Sequence, residues 1–414
     1  MSDFEELKKD IKSKVIQSLD FSKDISDEEM FELIDRELSV STRGRAISME
    51  LRKNLRFRIF HSIRKLDILQ ELVDDPEVTE IMINGVDNIF TERNGRIFRQ
   101  ELGFESKEKL EDIVQQIVAS CNRVVNESSP IVDARLTGGS RVNIVLSPVA
   151  LNGPIITIRK FPENPMTMEK LIEFGALTPY IRDYLAQLVR AGYNIFISGG
   201  TGSGKTTFLN ALSNYIPKDM RVITIEDNAE LQIREVPNLV RLEARNANVE
   251  GCKEITIRDL IKSSLRMRPD WIIVGEVRGS ECVDMLQAMN TGHMAMSTGH
   301  ANSAADMLSR IETMVLMGMD IPLSAIRGQI ASGIDIVVHL GRLRDRSRKV
   351  LEICELSKEI DPVTGKIHTN TLFKFEETGM DNDGKIVGEW RKVGDISNSE
   401  KLFSAGIRLP AYDK

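Results

Sequence analysis

Apolar residues recur with different periods in different stretches of this chain, and the changes of period divide it. In residues 1–66 the spacing is helical. Ile47, Leu51, Leu55 and Ile59 return at every fourth position, which puts them on one helix face. Ser26 and Glu29 stand at capping-box spacing ahead of Met30-Phe31-Glu32-Leu33-Ile34 and predict a helix start. Residues 67–162 mix helical and strand periods and predict a small α+β N-terminal domain. Glu80-Ile81-Met82-Ile83-Asn84 reads as a strand. Phe90-Thr91-Glu92-Arg93 and Arg96-Ile97-Phe98 flank Asn94-Gly95 as a hairpin, with the pair supplying the positive φ of a type I′ turn. A helix is expected from about Glu108 to Cys121, with Leu110, Ile113, Ile117 and Val118 on one face. Two further strands, Arg141–Leu146 and Ile155–Arg159, bracket a turn at Gly153-Pro154. Phe161-Pro162-Glu163-Asn164-Pro165 then interrupts both periods. It opens an expected linker over residues 163–177, about which one domain can rotate against the other.

Residues 178–344 alternate short apolar runs with helical stretches. The runs are Asn194–Ser198, Arg221–Ile225, Trp271–Val274 and Met294–Thr298, and a helix is expected from about Thr256 to Met267. This alternation predicts a parallel sheet covered on both faces. Polar residues follow the runs repeatedly, at the edge where open α/β sheets bind ligands. Residues 345–414 turn polar, with turns expected at Asp361–Gly365 and Asp381–Gly384 between short strands such as Leu372–Phe375, and predict a short C-terminal β appendage.

One stretch carries explicit chemistry. Gly199-Gly200-Thr201-Gly202-Ser203-Gly204-Lys205-Thr206, followed by Thr207, fits G-x-x-x-x-G-K-[ST] at every fixed position. An apolar strand precedes it and Phe208-Leu209-Asn210-Ala211-Leu212 continues as a helix, which is the context this phosphate-binding loop requires. Glycines let backbone N–H groups curl around an anion, and the helix start adds a positive dipole end. Lys205 is expected at the β- and γ-phosphates of ATP and Thr206 on Mg2+. Phosphoryl transfer also needs an acidic group and cations. Glu276, after an apolar run and a glycine, is the first candidate for metal or base. Glu226, at the end of the preceding predicted strand, is the second, with Asp227 and Glu230 close behind. One carboxylate would act as base and the other as metal partner; their spacing does not decide which. His293 and His300 flank the run at Met294–Thr298, and His300 falls at the ligand edge. Arg135, Arg141, Arg159 and Arg278 are the candidate cations.

Composition narrows the setting. The chain has 414 residues, 41% hydrophobic and 28% charged, as in ordinary globular protein with room for roughly two to four domains. A net charge of −7 and few aromatic residues weigh against nucleic acid as the main partner. Cys121, Cys252, Cys282 and Cys354 form no C-x-x-C pair, so neither a zinc site nor a disulfide framework is expected. No apolar run approaches the ~18 residues of a membrane span, and the acidic N-terminus lacks a signal-peptide core. A cytoplasmic location is expected, with peripheral contact at a membrane open. Arg43, Arg45, Arg52, Lys53, Arg56, Arg58, Arg64 and Lys65 form a basic block. It reads as a docking surface for acidic headgroups or, as charge runs usually do, as a solvated helix face.

Taken together, these boxes resemble the secretion ATPases of type II and type IV machineries, and most closely the CpaF/TadA branch that serves Tad/Flp pilus assembly. The resemblance spans about residues 70–350. Gly199–Thr206 matches Walker A, Thr224–Leu231 the acidic box, Arg268–Gly279 Walker B and His293–Ala301 the histidine box. Thr79–Gly85, Phe90–Gly95 and Ile158-Arg159-Lys160-Phe161 look like the same branch. The four-cysteine module of the type II and type IV pilus extension branch is absent. The histidine box carries Met294 and Ala295 where small or acidic residues are usual.

The resemblance implies a RecA-like P-loop ATPase domain behind the α+β domain, assembled as a hexameric ring. It places nucleotide between the two domains with Arg141 and Arg159 completing the site, Glu226 and Glu276 as the acidic pair and His300 as the coupling residue. ATP turnover would drive domain motion, passed to an inner-membrane platform protein that adds pilin subunits. The expected place is the cytoplasmic face of the inner membrane. Two other functions fit the boxes: a conjugation- or secretion-type ATPase of the same superfamily, and a nucleotide-gated assembly scaffold with little turnover.

Overall fold

Ser26 caps the second of three helices at the start of the chain, and its capping box with Glu29 is formed. The helices are α1 (Asp3–Ser18), α2 (Asp27–Ser41) and α3 (Met49–Arg64). In this computed structural model, residues 3–19, 25–43, 47–93, 95–121, 123–136, 138–161, 165–245 and 253–412 are described. Contacts divide the chain into a first unit over Met1–Glu163 and a second over Asn164–Ala247 and Gly251–Lys414. The boundary falls within the Phe161–Pro165 segment, of which residues 162–164 lie outside the described residues.

In the first unit the helical stripes meet. Ile11 and Val15 pack with Met30, Ile34, Leu38, Leu55, Ile59 and Phe60 in a core of their own. Much of the basic block is paired around this bundle. Arg52 donates to Ser39 Oγ at 2.6 Å, Arg56 meets Asp35 at 3.0 Å and Arg58 meets Glu71 at 3.1 Å. Arg64 donates to the Ile25 carbonyl. Arg45 lies outside the described residues.

A short helix α4 (Ile68–Asp74) leads to β1 (Val78–Asn84), β2 (Ile89–Arg93) and β3 (Arg96–Arg99). Then come α5 (Lys107–Ser120), β4 (Ile131–Arg135), β5 (Arg141–Val145) and β6 (Ile155–Arg159). The strands form one antiparallel sheet in the order β3-β2-β1-β6-β5-β4. Gly95 has φ +74°, as the hairpin expectation requires; Asn94 lies outside the described residues. Ile81, Ile83, Val142, Ile144, Ile156 and Ile158 form the apolar side of the sheet and pack with Leu110, Ile113, Val114 and Ile117 of α5. The other side is polar, because strand residues alternate between faces. Register aligns Glu92, Glu80, Arg159, Arg141 and Arg135 as one rung across it.

The second unit contains α6 (Met168–Glu173), α7 (Pro179–Arg190), β7 (Ile195–Gly199), α8 (Lys205–Ser213), β8 (Val222–Glu226), β9 (Leu239–Glu243), α9 (Ile257–Ser264) and β10 (Trp271–Val274). It continues through α10 (Glu281–Asn290), β11 (Met294–Gly299), α11 (Ala304–Gly318), α12 (Leu323–Gly333) and β12 (Ile336–Arg342). Its last elements are β13 (Arg348–Ile360), β14 (Ile367–Met380), β15 (Ile386–Lys392) and α13 (Glu400–Ser404). One sheet runs β15-β14-β13-β12-β7-β11-β10-β8-β9. It is parallel from β12 to β9 and antiparallel beyond. On β7, Ile195 and Ile197 enter one core with α6, α7 and α8, while Phe196 enters the other with α9 to α12. This is the two-sided α/β layering that the alternation predicts.

The C-terminal β region is built onto this sheet as β13 to β15, sharing the core through Val350, Ile353, Leu372 and Phe373. The tail returns to the start of β7. Tyr193 donates to the Asn398 carbonyl at 2.6 Å, and Lys401 reaches buried Asp335 at 2.6 Å. Asp335 also accepts the Asn194 backbone N–H at 2.8 Å.

Candidate nucleotide site

Strand β7 is buried along its whole length and ends in Gly199. A Cβ on Gly199 would stand 2.5 Å from the Leu340 carbonyl and 2.5 Å from Ser203 Oγ, so only glycine fits the exit from the strand. Gly202 and Gly204 then take φ +73° and +92°, which bends the loop back on itself. Helix α8 begins on Gly204 without a side-chain cap, whereas Thr178, Thr256 and Ser303 cap α7, α9 and α11. Its first-turn N–H groups are thereby left for an anion. Thr206 and Thr207 sit on this first turn, the former half-buried and the latter exposed.

Lys205 is 7% exposed and its Nζ donates to the Gly200 carbonyl at 3.2 Å. The same Nζ lies 3.2 Å from His300 Nδ1, just past β11. The far side of that ring brings Nε2 to 2.9 Å from Glu276 Oε1, and Glu276 Oε2 accepts from Arg278 at 2.7 Å. An ammonium can only donate, so Nδ1 accepts and the ring proton belongs on Nε2. Burial, then the Lys205 charge, holds His300 below its usual pKa, with Glu276 pulling the other way. Burial likewise lowers Lys205.

Glu226 comes from the end of β8. Register sets Ile225 against Val274, which brings Glu226 beside Gly275, the residue before Glu276. A Cβ on Gly275 would lie 2.9 Å from Glu226 Cγ, so this glycine makes room for the carboxylate. Glu226 is 3% exposed, and its Oε1 accepts the N–H groups of Glu230 and Leu231 at 2.8 and 2.9 Å. Burial pushes its pKa up to about 7, against these two hydrogen bonds. Among the described residues, Glu226 Oε2 is buried with no hydrogen-bond partner, and buried Glu276 Oε1 has only the His300 ring beside it, out of line for a hydrogen bond. An open anion cradle, a first-turn hydroxyl and two such oxygens are a donor set that fits a magnesium nucleotide.

The structure thus brings Lys205, Glu226, Glu276, His300 and Arg278 to the sheet edge that carries Gly199–Thr206. His293 is elsewhere: it precedes β11, at the opposite end of that strand, beside Thr291. Arg135, Arg141 and Arg159 belong to the rung of the first unit, where Arg141 lies 3.4 Å from Asp133 and Arg135 stands over the Phe161 ring. Two arginines at the loop escape sequence reasoning. Arg348, opening β13, donates from Nε to the Gly202 carbonyl at 2.8 Å. Arg342 Nη1 would be 3.6 Å from a Cβ on Gly202. The run Arg342, Arg344, Arg346, Arg348 was their only signal, and it fell where the pattern predicts the start of a separate appendage.

Comparison with known proteins gives consistent results. A family model described as type II/IV secretion system protein matches residues 63–384. A Mycobacterium tuberculosis protein named as a candidate conjugal transfer protein is 33% identical over 323 residues, covering 76% of this chain and 90% of that one. The type IV secretion system protein PtlH of Bordetella pertussis is 32% identical over 315 residues, covering 70% of this chain and 93% of its own. The structure of the ATPase DotB from Yersinia pseudotuberculosis shares the fold with a TM-score of 0.52 at 19% identity, covering 71% of this chain and 79% of that one.

Proposed function

Because the chain belongs to the type II/IV secretion system protein family, we propose that it is a motor ATPase that hydrolyses ATP to power pilus assembly or protein secretion. The observation that carries this reading is the contact series Lys205–His300–Glu276 beside an uncapped glycine loop. It joins the group that grips terminal phosphates to a strand-end carboxylate through a ring that can respond to either.

In the proposed mechanism, backbone N–H groups from Gly199 to Thr207 and the Lys205 ammonium bind the phosphates. Thr206 and Glu276 would hold Mg2+, which supplies positive charge against the β- and γ-phosphates. Glu226, raised to about 7 by burial, has the proton affinity to accept a proton from the attacking water near neutral pH. His300 holds the Glu276 carboxylate and passes changes at Lys205 to it. Arg141 and Arg159 are assigned the remaining phosphate charge.

The boxes at Thr79–Gly85 and Phe90–Gly95 support the CpaF/TadA branch, and the mycobacterial relative supports a conjugation-like one. The protein is proposed to act as a homo-hexamer at the cytoplasmic face of the inner membrane, against a platform protein. Among the described residues no helix is long and apolar enough to cross a membrane. The ion pairs of Arg56 and Arg58 favour a structural role for the basic block over a lipid one.

Phosphate release from Mg-ATP by the purified protein tests the proposal. Lys205→Ala and Glu276→Ala should each abolish it. Turnover that survives both changes ends the reading. Tight ATP binding without turnover, even with the membrane partner present, would establish a nucleotide-gated scaffold instead.

A further inference from the structure

Three successive residues open β13, lie outside every sequence box and reach two different places. Arg348 donates from Nε to the Gly202 carbonyl of the glycine loop at 2.8 Å, and its Cδ would lie 3.4 Å from a Cβ on Gly204. Lys349 comes next and, by the alternation of a strand, leaves from the other face. It is 9% exposed, and its Nζ donates to the Gly175 carbonyl at 2.8 Å. The same ammonium stands over the Phe375 and Trp390 rings, 5.3 and 5.5 Å from their centroids. These rings are paired in register on β14 and β15. Val350 donates its backbone N–H to the Ala176 carbonyl at 2.8 Å, and its own carbonyl accepts Trp390 Nε1–H at 2.7 Å.

Gly175 and Ala176 form the turn that ends α6. Gly175 has φ +67°, and its N–H and that of Ala176 return to the Ile172 and Leu171 carbonyls at 2.8 Å each, a Schellman closure. The carbonyls of the same two residues are the ones that Lys349 and Val350 take. Helix α6 is fixed at its other end, capped by Thr167 with Met168 buried. It is the first helix after Asn164, where the chain enters the second unit. A buried ammonium is costly unless it is bonded, and here a carbonyl and two ring faces hold it. An apolar side chain would fill the space under the rings without that cost; a long donor is needed to hold the α6 turn as well. We infer that Lys349 is a positioning residue that couples the glycine loop to the α6 turn. A shift of Gly202 on nucleotide binding moves Arg348, and Lys349 and Val350, joined to it in one strand, carry the shift to Gly175 and Ala176. The nucleotide state is thereby felt where the chain crosses from one unit to the other.

The coupling stands on geometry, and its use rests on the ATPase reading, so exchange of the full chain is measured without and with nucleotide. Lys349→Met keeps a stem under the rings and loses the donor; Lys349→Arg keeps a donor. Without nucleotide, Lys349→Met should accelerate exchange of the Gly175 and Ala176 amides about tenfold and, through β13, of the Ser203 amide about threefold, while α11 exchanges as before. Lys349→Arg should show less of both. With a non-cleavable Mg-ATP analogue, exchange at Gly175 and Ala176 should slow about threefold in the wild type. Lys349→Met should lose this response and about fivefold in kcat, while its Kd for the analogue stays within about twofold. Acceleration confined to Gly175 and Ala176 marks a purely local hold and overturns the inference. Acceleration that reaches α11 equally marks a packing residue and overturns it as well. So does a full nucleotide response in Lys349→Met, or an analogue that protects the wild-type loop and leaves the α6 turn unchanged. If the analogue protects nothing in Gly199–Thr207, the ATPase reading fails, and exchange without nucleotide alone decides the coupling.

Discussion

Nζ of Lys205 and Nδ1 of His300 lie 3.2 Å apart, and this contact dictates the protonation state of the ring. A proton on Nδ1 would face an ammonium. Burial and this charge keep the imidazole neutral to lower pH than the ordinary 6.5. The site is therefore intact above that value and is lost as pH falls through the lowered pKa. The acid limb of kcat should carry two breaks, one near 7 from the Glu226 base and one below 6.5 from His300. His300→Gln should remove the lower break alone and lower kcat roughly 100-fold at neutral pH. A pH–rate profile of both proteins checks this.

Glu226 titrates the other way. Its pKa of about 7 exceeds the usual 4.5, so between these values the folded chain holds a proton that the unfolded chain has released. Stability contributed by this group is full at the acid end and falls as pH rises through the window, by on the order of 3 kcal/mol in all. Glu226→Gln lacks that slope. Urea unfolding at about pH 5 and pH 8 should show the variant gaining on the wild type at the higher pH. A constant difference between the two proteins would refute the burial argument.

Gly199→Ala should cost roughly 1–3 kcal/mol, because the new methyl group meets a carbonyl and a hydroxyl rather than a flexible chain end. In a unit of this size that is a fall of roughly 2–4 °C in Tm per kcal/mol, and ATP binding should weaken with it. Calorimetry with and without nucleotide separates the two effects.

Arg348 touches the loop from outside, at a carbonyl, so its role is to brace the cradle. Arg348→Ala should raise KM for ATP several-fold, on the scale of one exposed hydrogen bond of about 0.5–1.5 kcal/mol, with a smaller change in kcat. Arg348→Lys, which lacks Nε–H, should not restore it. Steady-state kinetics on both variants decides.

Arg141 and Arg159 face each other across neighbouring strands, with Arg135 next along the rung. Like charges directly opposite destabilise a sheet. Asp133 beside Arg141 and Glu80 opposite Arg159 offset that repulsion, so removing either arginine should change Tm little at low salt, yet lower turnover by about 10³-fold or more if they neutralise phosphate, on the scale of an arginine finger. A variant that loses stability but not turnover would assign them to the fold alone.

What could be read ahead of the structure follows from what sequence pattern encodes. Gly199–Thr206, Glu276 and His300 were legible because each follows a short, largely apolar run, and such a run ends at the ligand edge of a parallel sheet. Strands β4, β9 and β12 were not. In β4, Asp133 and Arg135 interrupt the apolar positions, and β9 has no fully buried residue. The extent of the C-terminal strands was hidden for another reason. Antiparallel strands alternate in the same way whether they form their own sheet or extend a neighbour's, so the joining of β13 to β12 is invisible to periodicity. Arg348 was missed with it, since it reaches the loop after β7 only through that pairing.

The return of the tail to the start of β7 gives the far end of the chain a mechanical meaning. Lys401 and the Asn194 amide share one carboxylate, and Tyr193 holds the Asn398 carbonyl. A pull on Asn398–Lys401, from a bead or a bound neighbour, is therefore felt at the root of the strand whose tip is the glycine loop. The segment Asn398–Lys401 is thereby a handle on the Gly199–Thr207 loop.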